Sequence, residues 1–247
     1  MIGTAIEILT PDGAADGFLI QPEREGRWPG VLYLTYIVGI NDESRSMARR
    51  LAAEGYAVLL PNIFYRNGKA PIFNFPFKIG DERFVDRTNE IRGPLTPDAE
   101  DRDLSAYVDF LARQPSVRGE TCGVVGFGFS AQMALRAAAA RSDQIAVAAS
   151  FDGSGLYTDA PDSPHTLLSR VKAHLYFGHG AEDPSIPREV IEKLNRVLAA
   201  WGGNYESEVY QAKHGWTVPS SPTYNEPQAE RAYKKLTDLL TSTFKRN

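Results

Sequence analysis

A chain of 247 residues, 43% of them hydrophobic, can bury a substantial core and allows one large domain or two small ones. A formal net charge of -4 with both signs interspersed excludes a basic footprint for nucleic acid and a polybasic membrane patch. The single cysteine, Cys122, excludes an intramolecular disulfide and points to a reducing compartment, here the cytoplasm.

The N-terminal residues show no basic stretch followed by an apolar core, and no apolar run is long enough to span a bilayer. Residues 5–9 and 17–21, separated by Pro11, Asp12 and Gly13, predict an opening β-hairpin. Residues 30–36 are apolar almost throughout, as in a strand buried on both faces of a parallel sheet. A turn over 37–41 leads to a helix over 43–54 closed by Gly55, and then to a strand over 56–60 stopped by Pro61. Residues 62–97 hold Tyr65, Arg66, five phenylalanines and several prolines without a sustained period. Such a segment either covers the core edge with aromatics or acts as a lid over the site. Helices are predicted over 98–113, 189–201 and 226–244, and strands over 145–151, 173–177 and 205–210. Strands alternating with helices predict an α/β fold: a mainly parallel central sheet with helices on both faces, formed by residues 1–247 as a single domain.

The stretch from Cys122 to Ala140 organises this pattern. An apolar run, 124–127, breaks at Gly126, Gly128, Ser130 and Ala131 and continues as an alanine-rich helix. A strand, a sharp turn and a helix in that order form a nucleophile elbow, whose tight turn demands small neighbours. If Ser130 were the nucleophile, the bulky Gln132 would stand where the turn must be tight. With position 128 as the slot, Gly126, Ser130 and Ala131 are all small. The slot then holds Gly128, which has no side chain to attack with.

Ligands of such sheets bind beyond the carboxyl ends of the strands. There lie Asp183, after the strand that opens at 173, and His214, after the strand that opens at 205. Slot, Asp and His follow the chain order of the α/β-hydrolases. Asp183 alone reads as an Asx-turn and His214 alone as a loop histidine, but together they read as a pair in which the carboxylate fixes the imidazole tautomer. His165, His174 and His179 fall in loops or strand starts and show no metal spacing. The backbone N–H groups of Phe129 and Ile37 are the candidate oxyanion donors. Asp152 at a neighbouring strand end, Trp216, Tyr65 and Arg66 are candidate substrate contacts.

The segments 35–41, 52–61, 123–131, 177–183 and 210–216 resemble the dienelactone hydrolase family over nearly the whole chain. The resemblance implies hydrolysis of small lactones and esters by a Cys-His-Asp or Ser-His-Asp triad, with no metal and no cofactor. By position, His214 and Asp183 match the last two triad members. Gly128 replaces the nucleophile, and Tyr36 replaces the acidic residue that restrains a thiol. Three functions follow. The first is a family-type hydrolase of a small ester or lactone carbonyl in which glycine is an inactivating or divergent replacement. The second is a lyase, isomerase, cyclase or direct water-attack hydrolase with His214 as general acid/base and no covalent intermediate, and the third a silent ligand-binding protein. The expected partner is a small-molecule substrate, with no nucleic acid and no membrane, and a homodimer is the candidate assembly.

Overall fold

The computed structural model describes residues 1–244. The chain forms two compact units, Met1–Arg118 and the remainder from Gly119. In the first, β1 (Ile2–Thr10) and β2 (Gly13–Gln21) form the expected antiparallel hairpin, with Thr10 opposite Gly13. β3 (Trp28–Leu34), α1 (Asp42–Ala53) and β4 (Ala57–Pro61) follow. The strand order is β1-β2-β4-β3, with β2–β4 antiparallel and β3–β4 parallel. α1 packs on β2 and β4. β3 and β4 are buried along almost their whole length, which explains their unbroken apolar sequence. α1 starts at a capping box in which Asn41 accepts from the Ser44 N–H while Ser44 Oγ accepts from the Asn41 N–H.

Residues 62–97 are less irregular than the sequence predicts, because they include α2 (Glu82–Arg92). Only Phe84 and Ile91 of α2 are buried, too few to give a visible apolar period. Its start is fixed by Asp81, whose carboxylate accepts from the Phe84 N–H at 2.7 Å. Phe84 stacks on Phe73 and Phe77, which tilt against each other, with ring centroids 4.8 to 5.5 Å apart. α3 (Pro97–Ala112) follows a Thr96 cap with Pro97 in its first turn, and packs on β1, β3 and β4.

In the second unit, β5 (Val117–Phe127), α4 (Ala131–Ala140), β6 (Ile145–Phe151), β7 (His174–Glu182), α5 (Arg188–Trp201), β8 (Tyr205–Lys213) and α6 (Glu226–Phe244) alternate. The strand order is β5-β6-β7-β8 with parallel pairing throughout. α4 packs on β6, and α6 on β6 and β8. β7 runs five residues past its predicted end, so His179 is a fully buried strand residue rather than a loop residue. Parallel strands joined by helices, with an antiparallel edge at β1 and β2, make this the α/β-hydrolase fold. No helix among the described residues is long and apolar enough to cross a membrane.

Candidate active site

β5 stops at Phe127, and Gly128–Ser130 make one 3-10 turn into α4. Gly128 adopts φ +55°, the left-handed region where a residue without Cβ is unstrained. A Cβ on Gly126 would stand 2.3 Å from the Ser130 carbonyl oxygen, so strand and helix backbones touch here and only glycine fits. Ser130 is fully buried, and its Oγ accepts from the Phe127 N–H at 3.1 Å. That hydroxyl clamps the turn and faces backbone, consistent with the sequence argument against Ser130 as nucleophile. Phe129 is half-buried.

Beyond the ends of β7 and β8, His214 Nδ1 lies 2.9 Å from Asp183 Oδ2. The Asp183 side chain is 0% exposed, whereas that of His214 is 42% exposed, so the carboxylate is hidden and the ring reachable. Asp183 Oδ1 accepts from the Ser185 N–H at 2.8 Å and from the Ser185 hydroxyl at 2.6 Å. The Asx-turn is therefore present as well as the pair, and the turn orients the carboxylate. Because the hydroxyl proton of Ser185 is used on Asp183, Ser185 Oγ, 3.0 Å from Nδ1, is an acceptor there. Both neighbours of Nδ1 accept, so Nδ1 carries the proton and Nε2 has the lone pair. Burial pushes the Asp183 carboxyl up, but the hydrogen bonds from His214 and Ser185 outweigh it and hold the group below its ordinary range. The hydrogen bond to Asp183 raises His214 against the opposing effect of burial, with the Asp152 charge adding to the rise.

Asp152, just after β6, is 1% exposed and adopts φ +56°. Its Oδ2 accepts from the Thr217 N–H at 3.3 Å and from the Thr217 hydroxyl at 3.0 Å. One acceptor or donor atom each of Asp152, Asp183 and His214 lie within 4.8 Å of one another, the one such group among the described residues. The three are bonded to each other or to neighbouring hydroxyls, an arrangement suited to moving protons. Burial raises the Asp152 carboxyl to about 7. Ser185 and Thr217 escaped the sequence reading. Ser185 carried a signal, standing two residues after an Asp in a proline-punctuated turn; Thr217 carried none.

Trp216 is not at the surface of the site: it is 0% exposed and stacks on Tyr210 at 4.5 Å, a core position that corrects its expected substrate contact. Tyr65 and Arg66 are likewise occupied. The Tyr65 hydroxyl bonds Asp103 at 2.9 Å and Thr10 at 2.7 Å. The Arg66 guanidinium forks onto Asp103 at 2.6 and 3.0 Å and reaches Asp12 at 2.6 Å. These bonds tie the hairpin to α3, and they commit the polar atoms that a substrate anion would need. Tyr36, buried in the turn after β3, donates its hydroxyl proton to Glu43 at 2.7 Å and accepts from the Asn41 amide at 3.0 Å. An acidic side chain is thus present beside position 36, supplied from α1. Ile37 follows it and is half-buried.

Over 233 residues the chain is 27% identical to a candidate carboxymethylenebutenolidase of Synechocystis sp., covering 93% of this chain and 92% of that one. It is 26% identical over 234 residues to a probable 2-oxo-3-(5-oxofuran-2-ylidene)propanoate lactonase of Bradyrhizobium sp., covering 92% and 89%. The crystal structure of a candidate dienelactone hydrolase from Klebsiella pneumoniae superposes with a TM-score of 0.85 at 21% identity, covering 97% of this chain and 98% of that one, which supports the fold. The family profile matches residues 15–244, nearly the whole sequence, and the chain is a hydrolase-family enzyme that belongs to the dienelactone hydrolase family.

Proposed function

We propose that the enzyme hydrolyses a small ester or lactone, with His214 as general base and acid, Asp183 as its orienting carboxylate and Gly128 in the nucleophile slot. The observation that carries this reading is the 2.9 Å bond from His214 Nδ1 to the buried Asp183, which leaves Nε2 basic on a half-exposed ring. The +55° turn at Gly128 between β5 and α4 supports its assignment to the slot. The names of the relatives support the substrate class, since one of them is named as a probable lactonase.

With no side chain at 128, the attacking group in this reading is water. His214 Nε2 takes a proton from water as the water oxygen bonds to the carbonyl carbon, and the carbonyl electrons move onto oxygen. The Phe129 N–H is the oxyanion donor that follows the slot. Collapse breaks the bond to the alkoxide, which recovers the proton from the imidazolium; an ester gives acid and alcohol, and a lactone gives a hydroxy acid. Triad enzymes that lose a member retain about 10³-fold or more of rate enhancement from the oxyanion hole and binding. The same order is expected here.

The test compares the natural chain with Gly128→Ser, Gly128→Cys and His214→Ala on p-nitrophenyl acetate, following product and intact mass. The natural chain should turn over without a covalent adduct, His214→Ala should lose that turnover, and the Ser or Cys variant should gain an acyl adduct. Turnover indifferent to His214→Ala, with no adduct on either slot variant, would refute the reading.

A further inference from the structure

Asp152 stands outside the Asp183–His214 pair but close to it. It is the one non-glycine residue at positive φ among the described residues, at +56°. Strain of this kind persists only where the surroundings fix it, and it gathers at functional sites. Its backbone N–H is bonded to the Gly178 carbonyl of β7 at 3.0 Å, and its Oδ2 to the N–H and hydroxyl of Thr217. Thr217 lies three residues beyond His214, so the strained residue grips the loop that carries the histidine. The remaining oxygen, Oδ1, is buried without a hydrogen-bond partner among the described residues. A buried carboxyl oxygen left unpartnered is costly when charged, and it suits a group that holds a proton or meets a ligand.

We propose that Asp152 is a second proton-holding carboxyl group of the site, clamped to the His214 loop through Thr217 and, with ligand atoms of the two within 4.8 Å of each other, sharing one proton with His214 through one water. Two arrangements with the same proton count follow: Asp152 as the acid with a neutral imidazole, or Asp152 as the carboxylate with an imidazolium. In the first, His214 is ready to act as base; in the second, it is ready to protonate a leaving oxygen. Asp183 stays ionised in both. The titratable groups acting on Asp152 are His214, which favours its charged form, and Asp183, which opposes it. Those acting on His214 are Asp183 and Asp152, both favouring the imidazolium. Asp152 is in this sense a positioning residue, acting on substrate only through His214. The role in turnover rests on the hydrolytic reading; the shared proton does not.

Two NMR titrations test the proposal without any substrate. The first follows the His214 Cε1–H in the natural chain and in Asp152→Asn, which keeps the size of the side chain and an acceptor for Thr217. The variant should lower the His214 midpoint by about one pH unit, as expected for loss of a neighbouring charge, and turn a two-step curve into a single step. The second follows the Asp152 carboxyl carbon in natural chain labelled at aspartate, and it decides alone if the variant does not fold. That carbon should titrate together with His214. Superimposable His214 curves in natural and variant protein, or a carboxyl that stays ionised from about pH 5 to pH 8, well above the ordinary Asp range, would overturn the proposal. Absence of ester hydrolysis would refute the proposed reaction and leave these titrations unaffected.

Discussion

Replacing Asp183 by asparagine isolates what the carboxylate does for His214. The two donors of Ser185, at 2.8 and 2.6 Å, both point at Oδ1, so the amide of the variant must turn its oxygen toward Ser185. Its NH₂ then faces Nδ1 across the 2.9 Å gap that Oδ2 now spans. A donor cannot accept the Nδ1 proton, so the imidazole is driven to the tautomer protonated at Nε2, and the lone pair needed for proton abstraction moves to the wrong side of the ring. In serine proteases the same change of tautomer costs about 10⁴ in rate, which is ~5 kcal/mol of barrier. Because the whole rate enhancement expected without a nucleophile is about 10³-fold, the loss of kcat/KM on an activated ester is capped near that figure, ~4 kcal/mol, with little change in thermal stability. A ¹⁵N spectrum of the imidazole should show the proton moved from Nδ1 to Nε2. A variant that keeps turnover within tenfold of the natural chain, or keeps the Nδ1 proton, would refute the reasoning.

Asp152→Asn should raise the melting temperature at pH 8, with the gain closing below pH 5. A folded-state pKa of about 7 means that the native state binds the Asp152 proton more tightly than the unfolded chain, so the natural chain loses stability as pH rises from the ordinary Asp value through 7. Asp103→Ala removes the acceptor of the Arg66 fork and of the Tyr65 hydroxyl, with a side chain 1% exposed. A cost of about 3 kcal/mol is expected in urea denaturation, at the low end for a broken buried pair because Arg66 keeps Asp12. Gly126→Ala should prevent folding, since its Cβ would meet backbone at 2.3 Å. Gly202→Ala, at φ +72° with nothing within 4 Å, should cost only about 1 kcal/mol, and soluble yield with melting temperature separates the two. Trp216→Ala, which empties a fully buried site against Tyr210, should cost about 3 to 5 kcal/mol in the same denaturation assay.

The strands that form the centre of each unit were legible in the sequence because they are buried on both faces. The mostly apolar runs at 30–36 and 145–151 leave little choice of element, and their ends fall within two residues of the structure. α2 was not legible, because a helix with two buried residues has no apolar stripe to read. Within the site, the order of slot, Asp and His is a property of the chain and can be read along it. The partners of those residues are not: Thr217 meets Asp152 across 65 positions and Asp103 meets Arg66 across 37, and no local spacing announces either bond. Trp216 misled for the opposite reason. Its neighbour His214 belongs to the site, but the chain turns inward after Gly215, at φ +82°, and buries the indole two residues on.

The two carboxyl groups around His214 are pushed in opposite directions, and the cause lies in what surrounds each. Asp183 receives three hydrogen bonds, from the Ser185 N–H and hydroxyl and from His214, and these hold it ionised despite full burial. Asp152 receives two, both from Thr217 and both on one oxygen, and burial prevails. Environments that separate the pKa values of neighbouring acids assign them different roles: the low one is a permanent charge and the high one exchanges its proton. A histidine set between a fixed negative charge and a protonable acid has both of its protonation states within reach near neutral pH. That is the requirement for a single residue that must take a proton from water and then return one to a leaving alkoxide.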